Sequence, residues 1–478
     1  MLAHQRNYSI AKLASYELLD YPKALFHAGG FYRKSNKSEL MNEIEKRSDC
    51  VQPLPLFPPS PNTRVHLFDG MVLVHVLQVS KFKTFYEFGQ AFFRYISSFL
   101  AKPSVSRVDV IFDRYDDLGI KELESMLRSE DSEVGEIVID NPHTRIPKDI
   151  KKLLTNPGNK LKLVKFLCQN SFKFVKLHDN QQLILSGGFE NMSKCYKIQG
   201  NSMFDVIELQ GNHLEADTRI FSHAFFDLKP NTELVIHSVD TDVFVLAIYF
   251  WSKFKSMGCP GLWFQVHNQK PRTLACHAAA EFLTEEVCEI LPGLHAFTGC
   301  DSVSKIGTKK KGLDLMAHVQ FRNSLAPLGN GSLLNVEEFK AIENLYLRIL
   351  DKNETDVDVC RANIFSNSCG VGLNLTKVPC TSDALHLHSL RASLQTYIWK
   401  SAINANYLPM NFTSFGYTIK DDSLLPIPMS KDAFPNDLVK ACNCKKNCST
   451  RLCNCRKHNE KCVKICGCDF AECKNSSN

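Results

Sequence analysis

The chain of 478 residues has no run of 18 apolar residues; even Val239 to Trp251 is interrupted by Asp240 and Asp242. A membrane-spanning helix is therefore not expected, and no membrane partner either. No early stretch shows the charged, then apolar, then small-residue order of a secretory signal, so the simplest expectation is a soluble intracellular protein. No internal repeat stands out. Net charge is also missing from most of the chain. From Lys440 onward there are nine Lys or Arg against three Asp or Glu, an excess of +6 that equals the excess of the whole chain, so residues 1–439 sum to zero. A neutral body with a basic tail points to a tail that faces a polyanion.

What is present is ordinary for a globular protein: 44% hydrophobic and 23% charged residues, enough for a sizeable core. The length suggests about two to four domains at roughly 100–200 residues each. Cysteine is unevenly placed. Ten of the 19 are scattered from Cys50 to Cys380, and nine fall between Cys442 and Cys473. The scattered ones read as inert core residues, and the packed ones as metal ligands rather than disulfides.

Taken in order, residues 1–61 read as an N-terminal extension with helical patches at 9–19 and 38–47, closed by a linker with five prolines between Gln52 and Pro61. Residues 62–320 hold the chemistry, 321–435 read as a helical extension and linker, and 440–474 as a separate cysteine-rich module. Strands are predicted at 65–68, 108–112, 136–139, 182–186 and 233–237, and helices at 82–100, 119–128, 147–168, 278–291, 335–350 and 386–405. His386 and His388, alternating with leucines, read as core or surface histidines rather than ligands.

Two carboxylate pairs dominate the middle of the chain: Glu215 with Asp217 in LEADTRI, and Asp240 with Asp242 in SVDTDV. Carboxylates gathered where a buried strand gives way to a helix cost stability unless a cation or donors neutralise them, and hard cations such as Mg²⁺ take oxygen ligands of this kind. Asp69 and Asp113 each end a short apolar run, and Asp301 lies in a turn. Parallel α/β sheets form their sites at the carboxyl ends of strands. Lys121 and Arg128, seven residues apart on one predicted helix face, are placed to hold a substrate phosphate, and Gly307 with Lys309, Lys310 and Lys311 reads as a basic turn for a phosphodiester backbone, its helix starting near Gly312.

The order Asp69, Asp113, Glu215/Asp217, Asp240/Asp242, Asp301 and then a Gly-Lys turn resembles the flap endonuclease (XPG-like) branch of the PIN-like nucleases. The resemblance implies an α/β fold with a central, mostly parallel sheet flanked by helices, and two Mg²⁺ or Mn²⁺ ions held by the seven carboxylates. It further implies that Lys121 and Arg128 position the scissile phosphate, and that the segment from Thr298 grips duplex DNA. This chain departs from the family in having more than sixty residues before Asp69, in carrying Glu215-Ala-Asp217 where Glu-x-Glu is usual, and in reading IGTKKKG where glycines usually alternate.

The tail has nine cysteines within 32 residues: Cys442, Cys444, Cys448, Cys453, Cys455, Cys462, Cys466, Cys468 and Cys473. Thiolates at this density select zinc, and nine of them can complete three tetrahedral sites only if three sulfurs bridge. The spacing resembles the tesmin/TSO1-like CXC domain, which implies about three Zn²⁺, DNA as partner, association with chromatin proteins and a nuclear location. Where DNA-binding members of that family place a tyrosine in the minor groove, this chain has Leu452, preceded by Arg451, a residue type able to read a narrow minor groove. Two functions follow as expectations: a metal-dependent, structure-selective DNA nuclease tethered to DNA or chromatin, or a non-catalytic nucleic-acid-binding scaffold on a nuclease fold.

Overall fold

The computed structural model describes residues 8–52, 62–114, 135–139, 141–267, 271–368, 373–421, 423–435, 441–445, 447–463, 466–469 and 471–476. The predicted helix at 119–128, with Lys121 and Arg128, lies outside the described residues, as does most of the proline-rich stretch. The 136–139 segment is described and is not a strand.

Nine strands form one sheet: β1 (Val51–Gln52), β2 (Thr63–Asp69), β3 (Val105–Ile111), β4 (Gln182–Ser186), β5 (Cys195–Gln199), β6 (Ser202–Asp205), β7 (Thr232–Ser238), β8 (Leu262–Val266) and β9 (Arg272–Ala275). Their order is β1-β9-β8-β7-β2-β3-β4-β5-β6. The five central strands, β8 to β4, run parallel, and the outer ones pair antiparallel. The chain leaves β2 toward β3 and β4, then returns to its other side with β7 and β8. The switch point therefore falls between β2 and β7, where α/β sheets open a crevice at their carboxyl ends.

The central strands are buried along most of their length because helices cover both faces. All seven residues of β7 are buried, and so are Val65 to Phe68 of β2. Side chains still sort by twos. Val65 and Leu67 enter the core shared with Leu234 and Ile236, while Phe68 joins Val108, Val110, Leu183 and Leu185 under the helix Phe85–Leu100 and the helix Pro157–Phe174. That first helix buries the aromatic face its spacing predicts, Phe85, Phe88, Phe92 and Phe93 included.

Seven further helices concern the site: α1 (Ser38–Ser48), α2 (Gly70–Leu77), α3 (Ala216–Phe225), α4 (Thr241–Ser256), α5 (Glu285–Phe297), α6 (Lys309–Leu315) and α7 (Ser382–Lys400). The predicted 278–291 helix is two helices, because Thr284 takes a left-handed φ of 69° between Cys276–Leu283 and α5. Residues before β1 are part of the body: Leu25, Phe26, Tyr32, Leu40, Met41 and Ile44 lie in the same core as α4 and α5, and β1 pairs with β9. His388 of α7 is a buried core histidine bonded to the Phe297 carbonyl at 2.9 Å. Among the described residues no helix is long and apolar enough to cross a membrane. No disulfide occurs there either, and the described cysteines from Cys50 to Cys380 are all buried thiols.

Candidate metal centre

Three adjacent parallel strands deliver three aspartates to one edge of the sheet. Asp69 is the last residue of β2 and caps α2, its Oδ1 accepting from the Met71 and Val72 amides at 2.9 and 3.3 Å. Gly70 follows because a Cβ there would fall 2.2 Å from the Phe112 ring. Asp113, two residues beyond β3, accepts from the Ala216 amide at 2.8 Å. That bond ties β3 to the start of α3, where Glu215 occupies the cap position and Asp217 the first turn. Asp240, two residues beyond β7, caps α4 by accepting from the Asp242 amide at 2.9 Å.

Oxygens of Asp217, Asp240 and Asp242 lie within 4.8 Å of one another, a spacing and a hard-donor set that fit a divalent cation. The crowding has an electrostatic signature. Burial, then the charge of Asp113 and more weakly of Asp240, pushes the Asp69 carboxyl up to about 7 against the pull of its two amide donors. Asp301 completes the group from the turn after α5 through a shared cation: Lys37 Nζ lies 2.7 Å from Asp301, 3.1 and 3.0 Å from the two Asp240 oxygens, and 3.4 Å from Asp242. The structure thus brings Asp69, Asp113, Asp217, Asp240, Asp242 and Asp301 together, with Glu215 next to them in the chain at the cap of α3.

Behind Asp242 stands a buried relay. His295 Nε2 is 2.8 Å from Asp242 Oδ1, and Lys309 Nζ is 3.1 Å from His295 Nδ1. An ammonium only donates, so Nδ1 accepts and Nε2 carries the proton given to Asp242. Burial and the neighbouring ammonium push the imidazole down to about 4, which keeps this neutral tautomer. Lys309 also donates to the carbonyls of His295 and Gly299 and to Thr298, and burial lowers its own ammonium to about 8.

Lys309 is a correction. It was expected to face a phosphodiester backbone, yet it is 1% exposed, because its four acceptors inside the α5–α6 corner outweigh solvation of the ammonium. Lys310 is exposed as expected, and the half-buried Lys311 pairs with Asp351 at 2.6 Å. Gly307 takes φ +53° with no room for a Cβ, which would meet Ile349 at 2.3 Å. Its turn leads into α6 at Lys309, three residues earlier than expected. Beside it a cavity of about 460 Å³ is lined in part by Arg33, Lys305, Lys352 and Lys377.

Sequence reading missed Lys37 and the roles of His295 and Lys309. His295 lies in the HAFTGCD segment, a usable signal; Lys37 lies in KSNKSEL, which reads as a solvated helix start.

No family model matches this sequence, and no curated protein does. Among solved structures the chain is similar to the catalytic core of Rad2 in complex with a DNA substrate, at 12% identity and a TM-score of 0.33, over 69% of this chain and 80% of that one.

The tail is a second, local cluster. Among the described residues its buried interior is eight cysteines and Val463, with Cys444 half-buried against them. Four sulfurs at about 2.3 Å from one tetrahedral zinc stand about 3.8 Å apart. Here Cys442 lies 3.8 Å from Cys448, 3.9 Å from Cys462 and 4.0 Å from Cys468, and Cys453–Cys462 and Cys455–Cys466 are each 3.7 Å. Three four-sulfur groups can be drawn, with Cys442 in all of them and Cys448 and Cys462 in two. Sulfurs shared in this way are what nine thiolates need to serve more than two tetrahedral ions. Arg451 and Leu452 are both exposed on the loop between Cys448 and Cys453, Leu452 at 94%.

Proposed function

We propose that this chain is a divalent-metal-dependent phosphodiester hydrolase, a structure-selective DNA nuclease held on DNA by its zinc-loaded tail. The observation that carries the reading is that Asp113, Asp69 and Asp240 stand at the carboxyl ends of β3, β2 and β7, on the switch point of the sheet, with Asp217, Asp242 and Asp301 gathered beside Asp240. Divalent ions in such a centre supply an activated water and offset the charge on the leaving oxygen of an in-line displacement. The chain's own part is placement. Asp217, Asp240 and Asp242 converge on one position, and the charge of Asp113 helps to hold the Asp69 carboxyl up. His295 and Lys309 lock Asp242 in orientation, as partners behind a ligand do.

DNA is the substrate class favoured by charge. The cavity with Arg33, Lys305, Lys352 and Lys377 offers cations beside the exposed Lys310 of the Gly307 turn, and Lys121 and Arg128 are assigned to the scissile phosphate. The tail is assigned about three Zn²⁺, DNA contact through Arg451, proximity to chromatin proteins and a nuclear location, in line with its spacing.

The test is cleavage of labelled flap, hairpin and single-stranded DNA with Mg²⁺ or Mn²⁺. The double variant Asp240→Ala, Asp242→Ala is expected to lose roughly 10²-fold or more of the rate, a loss of several kcal/mol of transition-state stabilisation. Undiminished cleavage by that variant refutes the site. A second reading, a DNA-binding scaffold without turnover, draws on Lys37 standing among the carboxylates. It predicts tight DNA binding and no cleavage of any substrate.

A further inference from the structure

Lys37 stands where the metal-centre reading would put an ion. Its Nζ has four carboxylate oxygens from three aspartates within 3.4 Å, and its side chain is 21% exposed. An ammonium holds such oxygens at about 2.7–2.9 Å, whereas Mg²⁺ draws them to about 2.0–2.1 Å in a near-octahedral shell. One set of oxygens cannot serve both at once.

The position is built rather than incidental. Lys37 directly precedes α1, whose Leu40, Met41 and Ile44 are buried in the main core. The far end of α1 is pinned by Glu45 to Arg272 at 2.7 Å and by Arg47 to Asp314 at 2.8 Å. The strap leading to Lys37 is anchored in turn. Ser304 donates to the Leu25 carbonyl at 2.7 Å, and the Lys305 amide to the Arg33 carbonyl at 2.8 Å. Buried Arg361 holds the carbonyls of Ala14 and Tyr16, and Arg391 of α7 lies against the rings of Phe26 and Tyr32 at 5.8 and 5.9 Å. A long, flexible lysine is thus brought to its partners on a fixed base, which removes much of the entropy that weakens surface ion pairs.

We propose that the Lys37 ammonium is a built-in cation replacing one of the two divalent ions, so that the intact chain takes a single divalent ion on the side of Asp69, Asp113, Glu215 and Asp217. The inference rests on the metal-centre reading. A fixed cation on the Asp240, Asp242 and Asp301 side supplies one positive charge permanently and independently of metal concentration. It lets metal enter only opposite, on the side where β2 and β3 end in Asp69 and Asp113.

The experiment counts ions rather than turnover. Full-length, zinc-loaded protein is titrated with Mn²⁺, free ion is followed by electron paramagnetic resonance, and heat by calorimetry. The quadruple variant Asp69→Ala, Asp113→Ala, Asp240→Ala, Asp242→Ala, which disables both sides of the centre, gives the background from other sites. One Mn²⁺ above background is expected for the native chain and for Lys37→Arg, and two for Lys37→Met, with folding of each checked by circular dichroism. Two ions in the native chain overturn the assignment whether or not Lys37→Met folds, and leave the metal centre standing. One ion in both native chain and Lys37→Met also overturns it, as does none in the native chain with ions gained in Lys37→Met, which would make Lys37 a plug. No Mn²⁺ above background in any form removes the metal centre itself.

Discussion

The carboxylate centre and the cysteine tail are two answers to one problem, the gathering of like charges. In the body, the fold comes first. Strands and helix starts far apart in sequence bring Asp69, Asp113, Asp217, Asp242 and Asp301 together, and the sheet has two apolar cores to support the cost. Protein groups neutralise part of the charge: Lys37 from one side, and the Lys309–His295 relay from behind. In the tail nothing comes first. Among the described residues its interior is sulfur and one valine, so on the zinc reading proposed above the ligands are the core and the ion supplies the folding energy. On the proposed reading, a metal adds chemistry to a finished fold in the body and makes the fold in the tail, and these two dependencies separate by experiment.

The largest expected effect is on the tail. Stripping zinc with a chelator removes roughly 10–16 kcal/mol of apparent binding energy per structural site. The tail is expected to lose its dispersed amide NMR signals while the thermal transition of the body stays in place. Elemental analysis of the native protein is expected to give about three zincs per chain. A tail that stays folded without metal breaks the contrast.

The next effect falls on the body through pH. Burial holds the imidazoles of His66 and His388 down to about 3 and that of His213 down to about 4. Unfolded, each titrates near 6.5. The unfolded chain therefore binds more protons below that value, and stability falls from about pH 6.5 toward pH 4, by up to roughly 3–5 kcal/mol per histidine at the acid limit. Asp69 has the opposite sign. Its carboxyl is held up to about 7, so its cost to the fold is present above pH 7 and relieved as pH falls toward the ordinary carboxylate value. Three histidines outweigh one aspartate, and the urea midpoint of the body is expected to drop between pH 6.5 and 4.5. A flat profile would mean these rings are not buried and neutral.

The smallest effect sharpens the contrast from within the body. Lys309→Met leaves all seven carboxylates in place but removes the donor that fixes the His295 tautomer. The rate of Mn²⁺-dependent DNA cleavage is expected to fall roughly 10-fold, the lower end for loss of an orienting partner, with the zinc content of the tail unchanged. An unaltered cleavage rate would show that the relay does not orient Asp242.

The two regions were also unequally legible. Asp69, Asp113 and Asp240 each follow an apolar run that is a strand, so β2, β3 and β7 and their terminal carboxylates can be read directly. The alternation that assigns Val65 and Leu67 to one core and Phe68 to the other follows from the period of two. The single helix read across 278–291 failed at Thr284, because apolar spacing carries no mark of one residue turning left-handed. Lys309 was misread for a related reason. Three consecutive lysines look alike in sequence, yet the first turn of α6 directs one inward and leaves Lys310 outside.

The sequence by itself determined the pieces whose physics is local: strand runs ending in acid, the glycine turn, and nine cysteines whose spacing alone brings sulfurs to about the separation one tetrahedral ion requires. Tertiary structure alone decided what neutralises the acids. Lys37 is 203 residues from Asp240 and 264 from Asp301 along the chain, and no pattern in KSNKSEL marks it. Only when α1 docks on α4 and α6 does the ammonium meet the carboxylates, because an interaction between distant residues is set by packing rather than by spacing.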